Sequence, residues 1–320
     1  MTTFALPRPS LLSPRVAVGI AALVAVVTLW SAFALSTRAL DGAGLTVADA
    51  AVVRFAVPGL LLVPWIPRTL RILRTERPAV VALVLLAGLP HFLIFAWGAH
   101  LTSAALTGLL VPGTVPLFVA VLLFLRHRAA VSRRRLLALG AIVAGIAAAA
   151  ALTGDTASVG GVAVLVGAGF VWAVYTLGLA RTRLDPLGVI VLVSLSSTLA
   201  AVVLIATGAM PSHLLAGTAD LASLGTYALV QGIGTGLLST ACYVVAVKNL
   251  GSSITATAGA LSPVLTALVA VPLLHEPLTA GLAVALALIV TGVVVFTLAP
   301  RRAARPLDAT SVSPAAPNRR

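Results

Sequence analysis

Apolar runs of about twenty residues recur from one end of this 320-residue chain to the other, and that recurrence constrains the fold more than any other feature. Each run is long enough to cross ~30 Å of hydrocarbon as a helix. Lipid offers no water to unpaired backbone groups, so a segment that satisfies its own amides is needed there. The short alternating strands of a membrane barrel do not fit these long unbroken runs. The residue balance agrees. The chain is 60% hydrophobic and 9% charged, against about 45–50% and about 25% in an ordinary soluble domain. It reads as an all-α polytopic membrane protein.

Ten spans fit between the polar breaks, near 16–37, 47–66, 79–99, 103–125, 136–153, 161–180, 187–208, 224–246, 252–274 and 280–299. The link at His100–Thr102 is so short that the third and fourth spans must form a tight helical hairpin. The longest link, Gly208–Ser223, has room for a short interfacial helix. The first run, Val16–Leu35, follows Arg8 and Arg15 and could imitate a signal peptide. It exceeds the usual 7–15-residue apolar core of roughly that motif, and reads as a retained span.

The net charge of +13 follows the spans. With ten spans and the N-terminus inside, nineteen of the 21 basic residues fall on one side. Arg38 is in an opposite loop and Arg54 lies within a span. Adding or removing one span would scramble this partition. By the positive-inside rule both termini are expected in the cytoplasm, with the protein in the cell membrane. The charge therefore argues for a lipid bilayer as partner and not for nucleic acid. Residues 1–15 read as a cytoplasmic N-terminal segment, and 300–320 as a disordered basic cytoplasmic tail. Cys242 has no internal disulfide partner, and the five histidines show no ligand spacing, so no metal and no cofactor are expected. The absence of a phosphate-binding glycine loop argues against direct ATP drive.

The chain also repeats itself. A gap-free shift of 147 lays Ser103–Ala148 over Leu250–Val295. It aligns Pro116 with Pro263, Ala120 with Ala267, Ala138 with Ala285, Leu139 with Leu286, Ile142 with Ile289, Val143 with Val290 and Gly145 with Gly292. Earlier in each half, "LWSAFAL" (Leu29–Leu35) is similar to "VWAVYTL" (Val171–Leu177). Two repeats are expected, 16–153 and 161–299. Because five is odd, the second must be inverted relative to the first, an arrangement found in secondary transporters.

Several residues stand out against this background. Arg54 lies about seven residues into the second span, where a charge costs at least ~2.5 kcal/mol unless it meets a cavity or partner; the alternative is snorkelling to the headgroups. His91 sits at a similar depth in the third span, as a substrate or proton group or as a buried neutral imidazole. Trp30, Trp172 and Tyr175 either line a substrate cavity or pack in the core. Gln231 is a lone amide that could touch substrate or bond helices together. Pro112, Pro116 and Pro263 interrupt the hydrogen-bond ladders of the fourth and ninth spans, as hinges or as packing bends. Glu276, placed before Pro277 at the start of the tenth span, fits a helix cap there.

The string "LWSAF", the pair Arg54-Phe55, "SAALTGLLVPGTVPLFVAVL" in the fourth span and "LGSSITATAGALSPVLTALVAVPLLHEPLT" through the ninth resemble the drug/metabolite transporter superfamily, in particular its EamA-type ten-helix members. The resemblance covers about residues 16–299. One departure is that the shift of 147 places Ala129, and not an acid, opposite Glu276. The resemblance implies export or uptake of small metabolites. The expected function is a secondary transporter, read as an exporter, of a small metabolite, amino acid or drug-like compound by alternating access, with proton coupling as one possible drive. It is not expected to be an enzyme. The competing readings are an intramembrane enzyme acting on a lipid-linked substrate, which would need clustered titratable groups, and a non-transporting scaffold, which would need no central polar cavity.

Overall fold

Polar caps start the helices at the breaks between apolar runs. The computed structural model describes residues 13–127, 131–152 and 156–299. The tail 300–320, most of segment 1–15 and Ala129 lie outside the described residues. Ser13 caps α1 (Pro14–Arg38), with Pro14 in its first turn. A reciprocal capping box between Thr46 and Asp49 starts α2 (Val47–Leu61). Ser132 caps α7 (Arg133–Ala151), Asp185 caps α9 (Pro186–Ala206) and Thr279 caps α15 (Ala280–Leu298).

Among the described residues eight helices are long and apolar enough to cross a membrane, and the pair Val47–Leu61 and Val63–Leu73, bent by 64°, makes a ninth if taken as one span. The remaining apolar stretch is divided into α13 (Ser252–Gly259) and α14 (Ser262–Leu274). This is compatible with ten spans, several of them irregular. Span two bends from α2 into α3 (Ile66–Leu73). Span three breaks between α4 (Pro78–Leu85) and α5 (Leu89–Leu101). Spans four, five, six and seven are α6 (Ala104–His127), α7, α8 (Thr156–Leu179) and α9. The 7–8 link holds the short α10 (His213–Ala216). Span eight runs from α11 (Leu221–Tyr227) through an eleven-residue π-helix, Ala228–Leu238, into α12 (Ser239–Leu250). Span nine is α13 with α14, and span ten is α15.

Several contacts join a span of the first five to its counterpart in the last five. α2 lies along α9, α6 along α14 and α7 along α15, each span on its own counterpart. α1 packs on α12, as α8 packs on α5. At the α7–α15 contact the reciprocity reaches single residues. Gly145 faces Ala285 and Ile289, while Gly292 faces Ala138 and Ile142. Under the shift of 147 these are the same contacts made twice, as an isologous interface requires. Glycine lets the two backbones approach closely there.

Contacts at both ends join loops that the ten-span reading puts on the same side. At the basic end Glu76 accepts from Thr182 Oγ1 and from the Arg183 amide, and Arg68 pairs with Asp185 at 2.8 Å. At the far end Asp49 bonds Ser212 and Arg38 pairs with Glu276.

The prolines correct the expectation of matched kinks. α6 runs unbroken through Pro112 and Pro116, whereas Pro263 stands in the first turn of α14, just after the break in span nine. A first-turn proline has no intrahelical bond to lose, so it starts a helix and does not bend one. The register of the repeat is kept and the local geometry is not.

A Cβ on Gly292 would lie 2.7 Å from the Ala138 carbonyl oxygen, whereas on Gly145 its nearest neighbour is the Ile289 side chain at 2.5 Å, with the Ala285 carbonyl at 3.2 Å; at Gly140 it would meet nothing within 4 Å. A side chain can yield more readily than a backbone. Gly292→Ala should therefore destabilise the fold by ~1–3 kcal/mol, the overpacking range, and Gly145→Ala by less. Gly140→Ala should be neutral or stabilising, since alanine is the better helix former. Thermal unfolding in detergent checks the order.

A candidate binding cavity around Arg54

The irregular spans converge on Arg54. Glycine and hydroxyl groups let the chain leave ideal helix geometry there without stranding backbone groups. At the break in span three, Ser197 of α9 accepts from the Leu89 amide at 3.0 Å. Gly88 permits this approach, because a Cβ there would fall 2.1 Å from Ser197 Oγ. In the π-helix, Thr235 Oγ1 donates to the Val230 carbonyl five residues back at 2.8 Å. Gly232 packs on Val57, Gly234 on Leu29 and Gly236 on Pro58. π-Helical segments are rare and occur frequently at functional sites.

Arg54 donates from Nη1 to Gln231 Oε1 at 2.9 Å. Its guanidinium carbon lies 4.3 Å from the centre of the Phe33 ring, 5.5 Å from Phe55 and 5.6 Å from Phe92. These are cation–π distances, and the attraction grows where water is excluded. Its Nε is buried and has no hydrogen-bond partner. Among the described residues no carboxylate pairs with it. The side chain nevertheless keeps some exposure, and it lines a cavity of about 110 Å³. Phe55, Trp172, Tyr175, Ser194 and Thr235 are among the other walls. α9 begins at the basic end, so Val189 to Ser194 belong to its basic half. The cavity thus extends from Arg54 toward the arginine-rich end.

His91 stands just after the break in span three, 4% exposed, with Nε2 unpartnered. Its ring lies 4.8 Å from Trp172 and 5.8 Å from Phe95, and Phe95 stacks on the Phe33 ring at 4.5 Å. Trp172 makes an edge contact with Tyr175 at 5.1 Å. One aromatic shell therefore joins Arg54, His91, Trp172 and Tyr175. Phe33 and Phe92 completed it without having been singled out in the sequence; the signal available was an aromatic-rich segment in each span facing a buried arginine.

Three expected contacts fall elsewhere. His91 belongs to the aromatic shell behind Trp172 and does not itself line the cavity. Trp30 stacks on Tyr243 at 5.9 Å, and its ring would lie 3.1 Å from a Cβ placed on Gly259; it does not line the cavity. Gln231 is fully buried and its amide is committed. Besides accepting from Arg54, it donates to Ser36 Oγ at 2.8 Å and Thr37 Oγ1 at 2.9 Å. It ties span eight to spans one and two, and it positions the guanidinium instead of lining the cavity.

Acids tie the loops and helix ends together at the far end. Asp49, fully buried, accepts from Ser212 Oγ at 2.5 Å and from the His213 amide at 2.9 Å, clamping α10 onto the start of α2. Tyr227 donates to the Ser36 carbonyl. Glu276 corrects the expected cap. Thr279 caps α15, and Glu276 instead accepts from the Ala104 amide at 2.8 Å, serving the N-terminus of α6 in the other half. The left-handed backbone of His275, φ 55°, turns the chain so that this carboxylate can reach across. Arg38 Nε approaches it at 3.3 Å.

Fold and cavity define a multi-pass membrane protein with a charged site between its two halves. Residues 159–298 match the EamA-like transporter family, which is consistent with the drug/metabolite transporter superfamily. Members of that family are membrane transporters and not enzymes. A solved crystal structure of a protein 19% identical in sequence superposes with a TM-score of 0.57, covering 89% of this chain and 97% of its own, which shows a shared fold. No curated protein matches the chain.

Burial raises the Glu276 carboxyl above its usual range, against the lowering effects of the Ala104 amide and Arg38. The folded state then holds its proton more tightly than the unfolded state. The stability this contributes is complete below the ordinary carboxylate range and is lost as pH rises through the raised value. Glu276→Gln, which keeps an acceptor for the Ala104 amide, should flatten the profile in the window just above that range. Melting temperature against pH, in detergent, reads this directly. A wild type that gains stability across the window relative to Gln would show the Arg38 pairing outweighing burial.

Proposed function

We propose that the protein is a secondary transporter of a small metabolite, working by alternating access of the Arg54 cavity between two inverted five-span repeats. The observation that carries this reading is the position of the cavity. Its walls come from α2 and the α4–α5 break in the first half, and from α8, α9 and the π-helix in the second. A site between two halves is exposed alternately at each end when one half rocks on the other. The α7–α15 and α6–α14 contacts, each a span on its own counterpart, are the natural axis for that motion. The contacts of the buried Asp49 and the half-buried Glu276 then hold the far end shut, while the pair formed by the exposed Arg68 ties the basic end more weakly.

Both termini are assigned to the cytoplasm on the distribution of basic residues, and export is assigned on the family resemblance alone. A central polar cavity favours this reading over a scaffold. An intramembrane enzyme finds little support in a cluster that joins one arginine and one histidine without a carboxylate.

Arg54→Ala should reduce transport in reconstituted vesicles at least ten-fold, while the protein still inserts and elutes as a folded species. His91→Asn should keep the fold and change the pH dependence of transport. Unaltered transport by Arg54→Ala would remove the site from the reading. Running the assay with and without an imposed pH gradient identifies the drive.

A further inference from the structure

We infer that the Arg54 cavity selects a small organic monoanion that carries no cationic group, and that it discriminates against zwitterionic amino acids. This deepens the proposed function and rests on it only for the claim that the ligand is carried.

The positive half of the argument is Arg54 itself. Gln231 occupies one of its five donor hydrogens, and three phenyl rings contact its faces. The rings compensate part of the charge but cannot use the in-plane donors, and Nε is left without a partner. A guanidinium with a free in-plane edge matches a carboxylate in geometry and charge.

The negative half is the distribution of acids. The described carboxylates with assigned partners are held at the two ends of the bundle. Asp49, Asp220 and Glu276 bond backbone amides at the far end, and Glu76 and Asp185 do so at the basic end. None lines the cavity. Beside Arg54, its polar side chains include the Tyr175, Ser194 and Thr235 hydroxyls, and Thr235 already donates to Val230. The α-ammonium of an amino acid is attached one carbon from its carboxylate. It would therefore enter close to the guanidinium, with neutral hydroxyls as its partners. Burying an ammonium without a counter-charge is strongly unfavourable. A deaminated acid presents the same carboxylate without that cost.

The test uses matched probes on the purified full-length protein. Propionate and 3-phenylpropionate are compared with their primary amides and with alanine and phenylalanine, by calorimetric binding and by uptake into vesicles. At least one of the two acids should bind at least ten-fold more tightly than both its amide and its amino acid. Arg54→Lys should keep the preference for acid over amide, and Arg54→Gln should erase it. Gln231→Glu supplies an internal counter-ion for Arg54 and should abolish acid binding in a protein that still folds. An amino acid that binds as well as its deaminated partner overturns the inference, as does failure of both acids to bind. Acid binding without uptake retains the ligand class and sinks the transporter reading; uptake of the amino acid but not the acid does the reverse.

Discussion

A guanidinium held in the middle of the bundle by a single amide is the constraint on which the rest of the structure depends. Placing an arginine at such depth costs at least ~2.5 kcal/mol by insertion scales. Among the described residues no carboxylate offsets this. The protein uses the Gln231 carbonyl at 2.9 Å, the Phe33, Phe55 and Phe92 rings, and a cavity. Gln231 can serve because its amide nitrogen is anchored on Ser36 and Thr37 of α1. Spans one, two and eight are thereby locked around one charge, and that charge remains available to an incoming group.

Room for the charge comes from helices that depart from ideal geometry. Each departure occurs where a neighbour can satisfy the freed backbone or approach it closely. Ser197 serves the Leu89 amide at the break in span three, and Gly88 allows it in. The glycines of the π-helix admit Val57, Leu29 and Pro58. By contrast, the α7–α15 seam, remote from the cavity, is regular and tightly packed through Gly145 and Gly292. Rigidity at the axis and irregularity at the site are what a rocking mechanism requires of the two places.

Much of this was legible in the sequence, because the governing quantities there are local. Span positions follow from run lengths, and loop sidedness from the arginines; the Glu76 and Asp49 contacts each join loops placed on the same side. The shift of 147 was readable at Gly145 and Gly292 because the seam is built of regular helices in a fixed register. The same shift misled at Pro116 and Pro263, since a helix break two residues before Pro263 changes what proline does. Arg54, Trp172 and Tyr175 line one cavity, whereas His91, which the sequence placed at the depth of Arg54, lies behind Trp172 and not in the lining. Trp30, matched to Trp172 in the repeat, turns to Tyr243 instead. The destination of the Glu276 carboxylate was not legible, because it depends on a left-handed residue, His275, and on a partner 172 positions away. Gln231 showed itself as a lone amide, but only tertiary packing decides that both its ends are used.

The central claim, an unneutralised positive charge facing a water-reachable cavity, can be measured without knowing the substrate. Ser194 lines the cavity and the chain has one native cysteine, Cys242. In a Cys242→Ser background, Ser194→Cys can be alkylated in vesicles by two thiosulfonates of similar size, one bearing a sulfonate and one a trimethylammonium. Rates are compared after normalising to a free thiol in solution. The account predicts that the anionic reagent reacts several-fold faster and that Arg54→Gln abolishes the difference. Equal rates in the wild-type background, or faster reaction of the cationic reagent, would contradict it.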